Sequence, residues 1–169
     1  MRSPLRSPAA LLRFFGTAAV GVGADLWTKK LAFDRLFNAA GPYRLIPGWV
    51  EFEVTVNHGA VFGRLQGQRI LFIAVSAVAV VFLVFLFAGS GRRRLYQVLL
   101  GMLMAGVLGN LYDRLTLGYV RDMIHALPRW PNFFPWIFNV ADSLLCVGVT
   151  LIILYNLVGE KGKRMNDER

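Results

Sequence analysis

Apolar residues in this chain fall in long uncharged blocks rather than in a period of two or 3.6. Residues 70–91 carry no charge, and neither do 95–112 or 143–159. Each block is close to the roughly 17–25 residues that a membrane-spanning helix needs. A further block, residues 9–27, contains Arg13, with Asp25 near its far end. Arg13 lies near enough to the start for its head group to snorkel to the interface. The pattern predicts a membrane α-helical protein with four transmembrane helices at 9–27, 70–90, 95–113 and 139–159. A soluble bundle is disfavoured, because four such blocks over-fill the core of a 169-residue chain. The first block could instead be a cleaved secretory signal, with Arg2 and Arg6 as its basic flank. The spans that follow it favour an anchor.

The links differ in character. Residues 28–69 are too many for a simple helix connection. Within them Val50, Phe52, Val54 and Val56 alternate with Glu51, Glu53 and Thr55, the period of a half-buried strand. Pro42, Pro47 and Gly48 punctuate the approach, and Tyr43 and Trp49 stand where interface anchors would. This predicts a small antiparallel β-sheet on the membrane surface. The strand runs into Asn57-His58-Gly59-Ala60-Val61-Phe62-Gly63, whose glycines allow close approach of a backbone or substrate. Residues 114–137 hold Pro128, Pro131 and Pro135 among Trp130, Phe133, Phe134 and Trp136, which suits an amphipathic loop in the headgroup layer. Residues 160–169 are polar and are expected to be a disordered tail. The whole chain, 1–169, reads as one integral membrane domain.

Charge changes the picture in one respect. The net charge is +9, which in a soluble protein would suggest nucleic acid. Here the basic residues flank apolar blocks, so anionic lipid headgroups and topology are the better account and no nucleic acid is expected. Arg92-Arg93-Arg94 fills a short link. With Arg2, Arg6, Lys161, Lys163 and Arg164 it argues that both termini and that link are cytoplasmic. The single cysteine, Cys146, is expected to be packing. No Cys/His/Asp set has zinc-ligand spacing, so neither metal nor cofactor is expected.

The chemistry lies in acids at the ends of apolar blocks. Charge at membrane depth is costly, about 2.5–3.5 kcal/mol per residue on insertion scales, so such acids are candidate functional groups. Asn110 and Asp113 are three apart, with Arg114 four from Asn110, and Asn139 and Asp142 repeat the three-residue spacing. Both Asn-x-x-Asp pairs open at one membrane face, with Asp122 in the loop between them. Asp122 can therefore meet Asp142. Two carboxylates in contact share a proton and titrate as a pair, the logic by which an aspartic dyad activates water. A serine mechanism at Ser143 lacks a base, because His58 and His125 lie in other loops. Taken singly the acids have plainer readings. Asp25 would pair with Lys29 four residues on, Asp113 with Arg114, Asp142 would cap the last helix and Asp122 would be a solvated loop acid.

These segments resemble the bacterial lipoprotein signal peptidase (signal peptidase II) family. Asp25-Leu26-Trp27-Thr28-Lys29, Asn57-His58-Gly59-Ala60-Val61-Phe62, Gly109-Asn110-Leu111-Tyr112-Asp113-Arg114, Gly118-Tyr119-Val120-Arg121-Asp122 and Phe138-Asn139-Val140-Ala141-Asp142-Ser143 look like its signature blocks, in its order. The resemblance implies a multi-pass protein of the bacterial cytoplasmic membrane, with both termini cytoplasmic. Its sheet, amphipathic loop and active site would lie at the periplasmic face. It implies an aspartic endopeptidase that removes the signal peptide from diacylglyceryl-modified prolipoproteins, cutting before the lipidated cysteine. Asp122 and Asp142 would be catalytic. Asn57, Gly59, Asn110, Arg114, Asn139 and Ala141 would position substrate or dyad, and Asp25, Lys29 and Asp113 would support them. The partners implied are prolipoprotein substrates, membrane lipid and globomycin-type inhibitors, acting on a monomer.

The chain departs from the family pattern at Arg121, Met123 and Gly63, where an apolar residue, Phe and Ser are usual. Arg121, if it points inward, would depress the pKa of Asp122. The rival readings are a proton-coupled carrier and an inactive relative that binds lipidated peptides. Acids crowded at one face, with no broken-helix repeat, argue against the carrier. Two intact acids argue against the inactive relative.

Overall fold

The computed structural model describes residues 4–59, 68–134 and 136–167, with side chains as far as 158. After a 3-10 turn at Pro4–Arg6, helix α1 spans Pro8–Leu36 with a wider π turn at Leu12–Gly16. Strands β1 (Tyr43–Ile46) and β2 (Val50–Asn57) follow, then helices α2 (Arg69–Ala88) and α3 (Arg94–Thr116). Strands β3 (Val120–Ala126) and β4 (Ile137–Phe138) lead into helix α4 (Val140–Asp167). Among the described residues four helices are long and apolar enough to cross a membrane, as the block pattern predicts.

Two helix ends differ from expectation. α1 continues nine residues past 27, to Leu36. Its extension is polar but helix-favouring: Asp25 pairs with Lys29 and Lys30 with Asp34, both at i,i+4. At the other terminus the segment expected to be a disordered tail is helical as far as Asp167. Glu160, Lys161, Lys163, Arg164 and Met165 are good helix formers and extend an existing helix without a new nucleus.

The sheet is larger than the sequence pattern implied. It has four antiparallel strands in the order β1-β2-β3-β4. β3 and the first residue of β4 come from residues 114–137, read from sequence as an amphipathic loop. The register sorts its two faces. Tyr43, Phe52, Ile124 and Phe138 lie opposite one another across all the strands. So do Arg44, Glu51, His125 and Ile137, beside the Arg44–Glu51 and His125–Glu53 pairs. One face is thus apolar and the other largely charged. A bulge between Phe52 and Thr55 then sets Thr55 opposite Asp122. The aromatic segment folds back on the β1–β2 turn: Leu127 N–H donates to the Trp49 carbonyl (2.7 Å) and Trp49 meets Trp130 edge-on.

α3 is the central helix; α1, α2 and α4 all pack on it. Its residues 101–109 explain how. A Cβ added at Gly101 would stand 2.6 Å from the Phe14 carbonyl, in the π turn of α1. One at Gly106 would stand 2.6 Å from the Ala141 carbonyl and 2.5 Å from Leu145. Membrane helices associate through such close backbone approach, because lipid removes the hydrophobic drive between them. The outer faces of α2 and α4 are apolar and exposed, including Val78, Phe82, Phe85, Leu151 and Leu154. Cys146 belongs to this exposed face of α4 and not to the core. Burial there would need a facing helix, and α3 meets the other side.

Glycine substitutions test this packing. Gly106→Ala should lower the thermal midpoint in detergent, by the equivalent of about 1–3 kcal/mol for an overpacked contact. Gly23→Ala, where nothing lies within 4 Å, should leave it unchanged or raise it, since alanine is the better helix former.

Candidate active site

A buried ammonium organises the C-terminal end of α3. Lys29, fully buried, places Nζ 2.7 Å from Asp25 Oδ2, 3.3 Å from Asp113 Oδ2 and 3.0 Å from Asn110 Oδ1. Three oxygens thus surround the ammonium, two of them from ion-paired carboxylates and the third accepting its hydrogen bond. Asp25 uses its other oxygen to accept the Ala141 N–H (2.8 Å), in the first turn of α4. Gly109 makes room for it, since a Cβ there would lie 2.5 Å from Asp25 Oδ2. Asp113 is completed by Arg121, whose backbone N–H and guanidinium donate at 3.0 and 2.8 Å.

Lysine only donates, so Asn110 must turn its oxygen towards Lys29 and its amide nitrogen the other way. That nitrogen donates to Asp142 Oδ1 at 2.8 Å. Asn139 is fixed in the same manner by the start of α4. Its Oδ1 accepts the Asp142 N–H (2.9 Å), and Asp142 Oδ2 accepts the Asn139 N–H (3.2 Å). This is a reciprocal capping box with aspartate in the usual glutamate place. The Asn139 amide nitrogen therefore points outward from the cap and donates to Asp122 Oδ1 at 2.6 Å. Asn57 supplies the other side of Asp122, donating to Oδ2 at 3.1 Å, while its own oxygen accepts the Gly59 N–H at 2.9 Å.

Asp122 and Asp142 thus stand together, the first on a strand, the second on a helix. Asp122 is almost fully buried. Burial above all, and then the neighbouring Asp142 charge, pushes its carboxyl up to about 7. The Asn57 and Asn139 hydrogen bonds pull the other way. Asp142 is half-buried in the first turn of α4, where the helix N-terminus favours a negative charge. Arg114 acts electrostatically on both acids, Asp142 more than Asp122. Its guanidinium donates to the Gly59 carbonyl (3.3 Å) and lies over the Phe72 ring.

Every candidate residue named from sequence lies at this end of the bundle, though not always as expected. Asp25 does pair with Lys29. Asp113 pairs with Lys29 and Arg121 and not with Arg114. Asp142 occupies the third position of its helix, and Asn139 is the cap. Asp122 is a strand residue, not a loop acid. Arg121 does not face it: neighbours on a strand point to opposite sides, and Arg121 turns to Asp113. Gly59 contributes its backbone, and Ala141 a backbone N–H. Ser143 spends its hydroxyl on the Asn139 carbonyl. Ala60, Val61, Phe62 and Gly63 lie outside the described residues. Sequence reasoning missed Gly109 as the gap that admits Asp25, and Arg121 as the partner of Asp113.

The comparisons agree with one another. The family model for signal peptidase (SPase) II matches residues 17–158. A lipoprotein signal peptidase of Enterococcus faecalis is 35% identical over 155 residues, covering 91% of this chain and 93% of the relative. One from Caldanaerobacter subterraneus is 36% identical over 140 residues, covering 83% and 92%. A bacterial membrane enzyme solved by the in meso method at 2.3 Å superposes with a TM-score of 0.81 at 30% identity, over 96% of each chain. With the match running from α1 into α4 and taking in every acid of the site, the chain belongs to the signal peptidase II family.

Proposed function

We propose that this protein removes signal peptides from diacylglyceryl-modified prolipoproteins, cutting before the lipidated cysteine with a water molecule activated by Asp122 and Asp142. The observation that carries this is that Asn139 joins the two carboxylates, which act on each other electrostatically, with an amide donor on both oxygens of Asp122 and on Asp142. Charge balance gives the dyad its protonation state. The site holds the carboxyls of Asp25, Asp113, Asp122 and Asp142 against the cations of Lys29, Arg114 and Arg121. Four acids facing three cations are neutral when one proton is retained.

Asp122, the more buried acid, holds that proton, and Asp142, at a helix N-terminus, serves as the base. Asp142 takes a proton from water as its oxygen attacks the scissile carbonyl carbon. Asp122 gives its proton to the carbonyl oxygen, forming a neutral tetrahedral diol. Collapse returns the diol proton to Asp122 as the C–N bond breaks, and Asp142 protonates the leaving nitrogen. Asn57 and Asn139 keep Asp122 aimed, and Asn110 does the same for Asp142. The active site faces the periplasm and both termini the cytoplasm; the arginine-filled α2–α3 link at the far end of the bundle supports that orientation. A globomycin-type inhibitor would occupy the dyad.

A gel-shift assay with a diacylglyceryl-modified prolipoprotein tests the reading. Wild type should cleave, and globomycin should block it. Asp122→Asn and Asp142→Asn should each lose about 10²–10⁴-fold in rate while keeping the wild-type elution profile. Cleavage surviving in either variant would mean the wrong carboxylates were chosen. The pH profile gives a second test. Below about 7 Asp122 keeps its proton and the dyad is competent; above it Asp122 has lost the proton it must donate, so kcat/KM should fall through that region. Asn57→Ala removes a hydrogen bond that favours the ionised form, so it should move the alkaline limb to higher pH. A shift to lower pH would contradict the assignment of the proton to Asp122.

A further inference from the structure

The end of the bundle opposite the dyad holds a second set of charges that catalysis does not use. Between Pro4 and Ala24 there is no acidic residue, and none between Val54 and Tyr112. These stretches nonetheless bring Arg6, Arg13, Arg92, Arg93 and Arg94 to this end of the helices. Topology needs arginines only in the exposed link. It does not need Arg13, which sits inside the apolar part of α1.

Arg13 did not simply reach for the interface. Its Nε donates to Gln97 Oε1 at 2.8 Å, its only polar partner among the described residues. Gln97 is fully buried and is itself pinned: its amide nitrogen donates to Ser90 Oγ (3.2 Å) and to the Gly91 carbonyl (3.0 Å). Ser90 is fully buried too. Arg93 braces the same corner, donating to the Gly89 and Ser90 carbonyls and lying over the Tyr96 ring. Arg94 is exposed and stands three residues before Gln97, on the same face of α3. A buried polar frame thus holds the Arg13 guanidinium of α1 through Nε alone, and a second arginine, Arg94, stands one helical turn along α3 from the glutamine that holds it. Both residues stand near a helix start: Arg13 is about 7.5 Å along its helix from Pro8 and Gln97 about 4.5 Å from Arg94.

A cation held at this depth by a neutral amide needs an anion from elsewhere. Guanidinium forks match phosphate oxygens in pairs. We propose that Arg13, set by Gln97, and Arg94, one helical turn from Gln97 on α3, bind the phosphodiester of an anionic phospholipid in the leaflet opposite the dyad.

The test uses the full protein in nanodiscs of phosphatidylcholine with phosphatidylglycerol, followed by native mass spectrometry of the lipid retained. Wild type should retain phosphatidylglycerol in preference to phosphatidylcholine. Arg13→Gln and Arg94→Gln should each weaken that preference about tenfold, the loss of one charge-assisted contact. Arg35→Gln, an exposed arginine at the dyad end, should not. Arg94 has no described packing role, so its variant decides the matter even if Arg13→Gln fails to fold. Equal retention by wild type and Arg94→Gln would overturn the proposal. So would displacement of the lipid by millimolar inorganic phosphate, which would make this a free-anion site.

Discussion

The Lys29 ammonium is the constraint on which the site depends. Burying one charge is expensive, and truncating a partner in such a set costs about 3–5 kcal/mol. Lys29 is tolerated because Asp25 and Asp113 neutralise it from different helices. The same contacts draw α1 and α3 together where Gly109 leaves space, and Asp25 reaches on to the first turn of α4. The ion cluster therefore joins three spans at the level where the acids of the dyad must meet. It also sets the amide of Asn110, and through it one oxygen of Asp142.

The site is built so that each donor has one possible orientation. Lys29 dictates which end of Asn110 faces it. The helix cap dictates which end of Asn139 faces inward, and the Asn57–Gly59 turn does so for Asn57. None of these amides can flip without breaking a bond to a group that only donates. Orientation of the dyad is thus inherited from secondary structure: a helix start, a helix end and a strand end.

The spans were legible because lipid demands uncharged blocks of fixed length. The acids were legible because charge beside such a block needs a reason, and the motif blocks fixed their grouping. The β2 strand showed itself through strict alternation. β3 did not. Val120–Ala126 carries Arg121, Asp122 and His125, so no apolar period appears, yet Asp122 and Met123, on opposite sides, are both buried. A strand that serves a polar site on one side and an ion pair on the other has no simple pattern. The extension of α1 past Trp27 was hidden for a related reason, since its Lys and Asp residues interrupt the apolar block while pairing at i,i+4. Arg13 shows the limit of composition: its position suggested snorkelling, and the partner that holds it lies 84 residues away.

The capping box at Asn139 makes one set of hydrogen bonds serve two ends. The bonds that begin α4 are also those that aim the Asn139 amide at Asp122 and seat Asp142 beside it. Fraying of that first turn would separate Asp122 from Asp142 along with loosening the helix start. The pairing of the two acids is therefore tied to a local folding transition, and the amide protons of residues 139 and 142 should exchange with solvent in step with it.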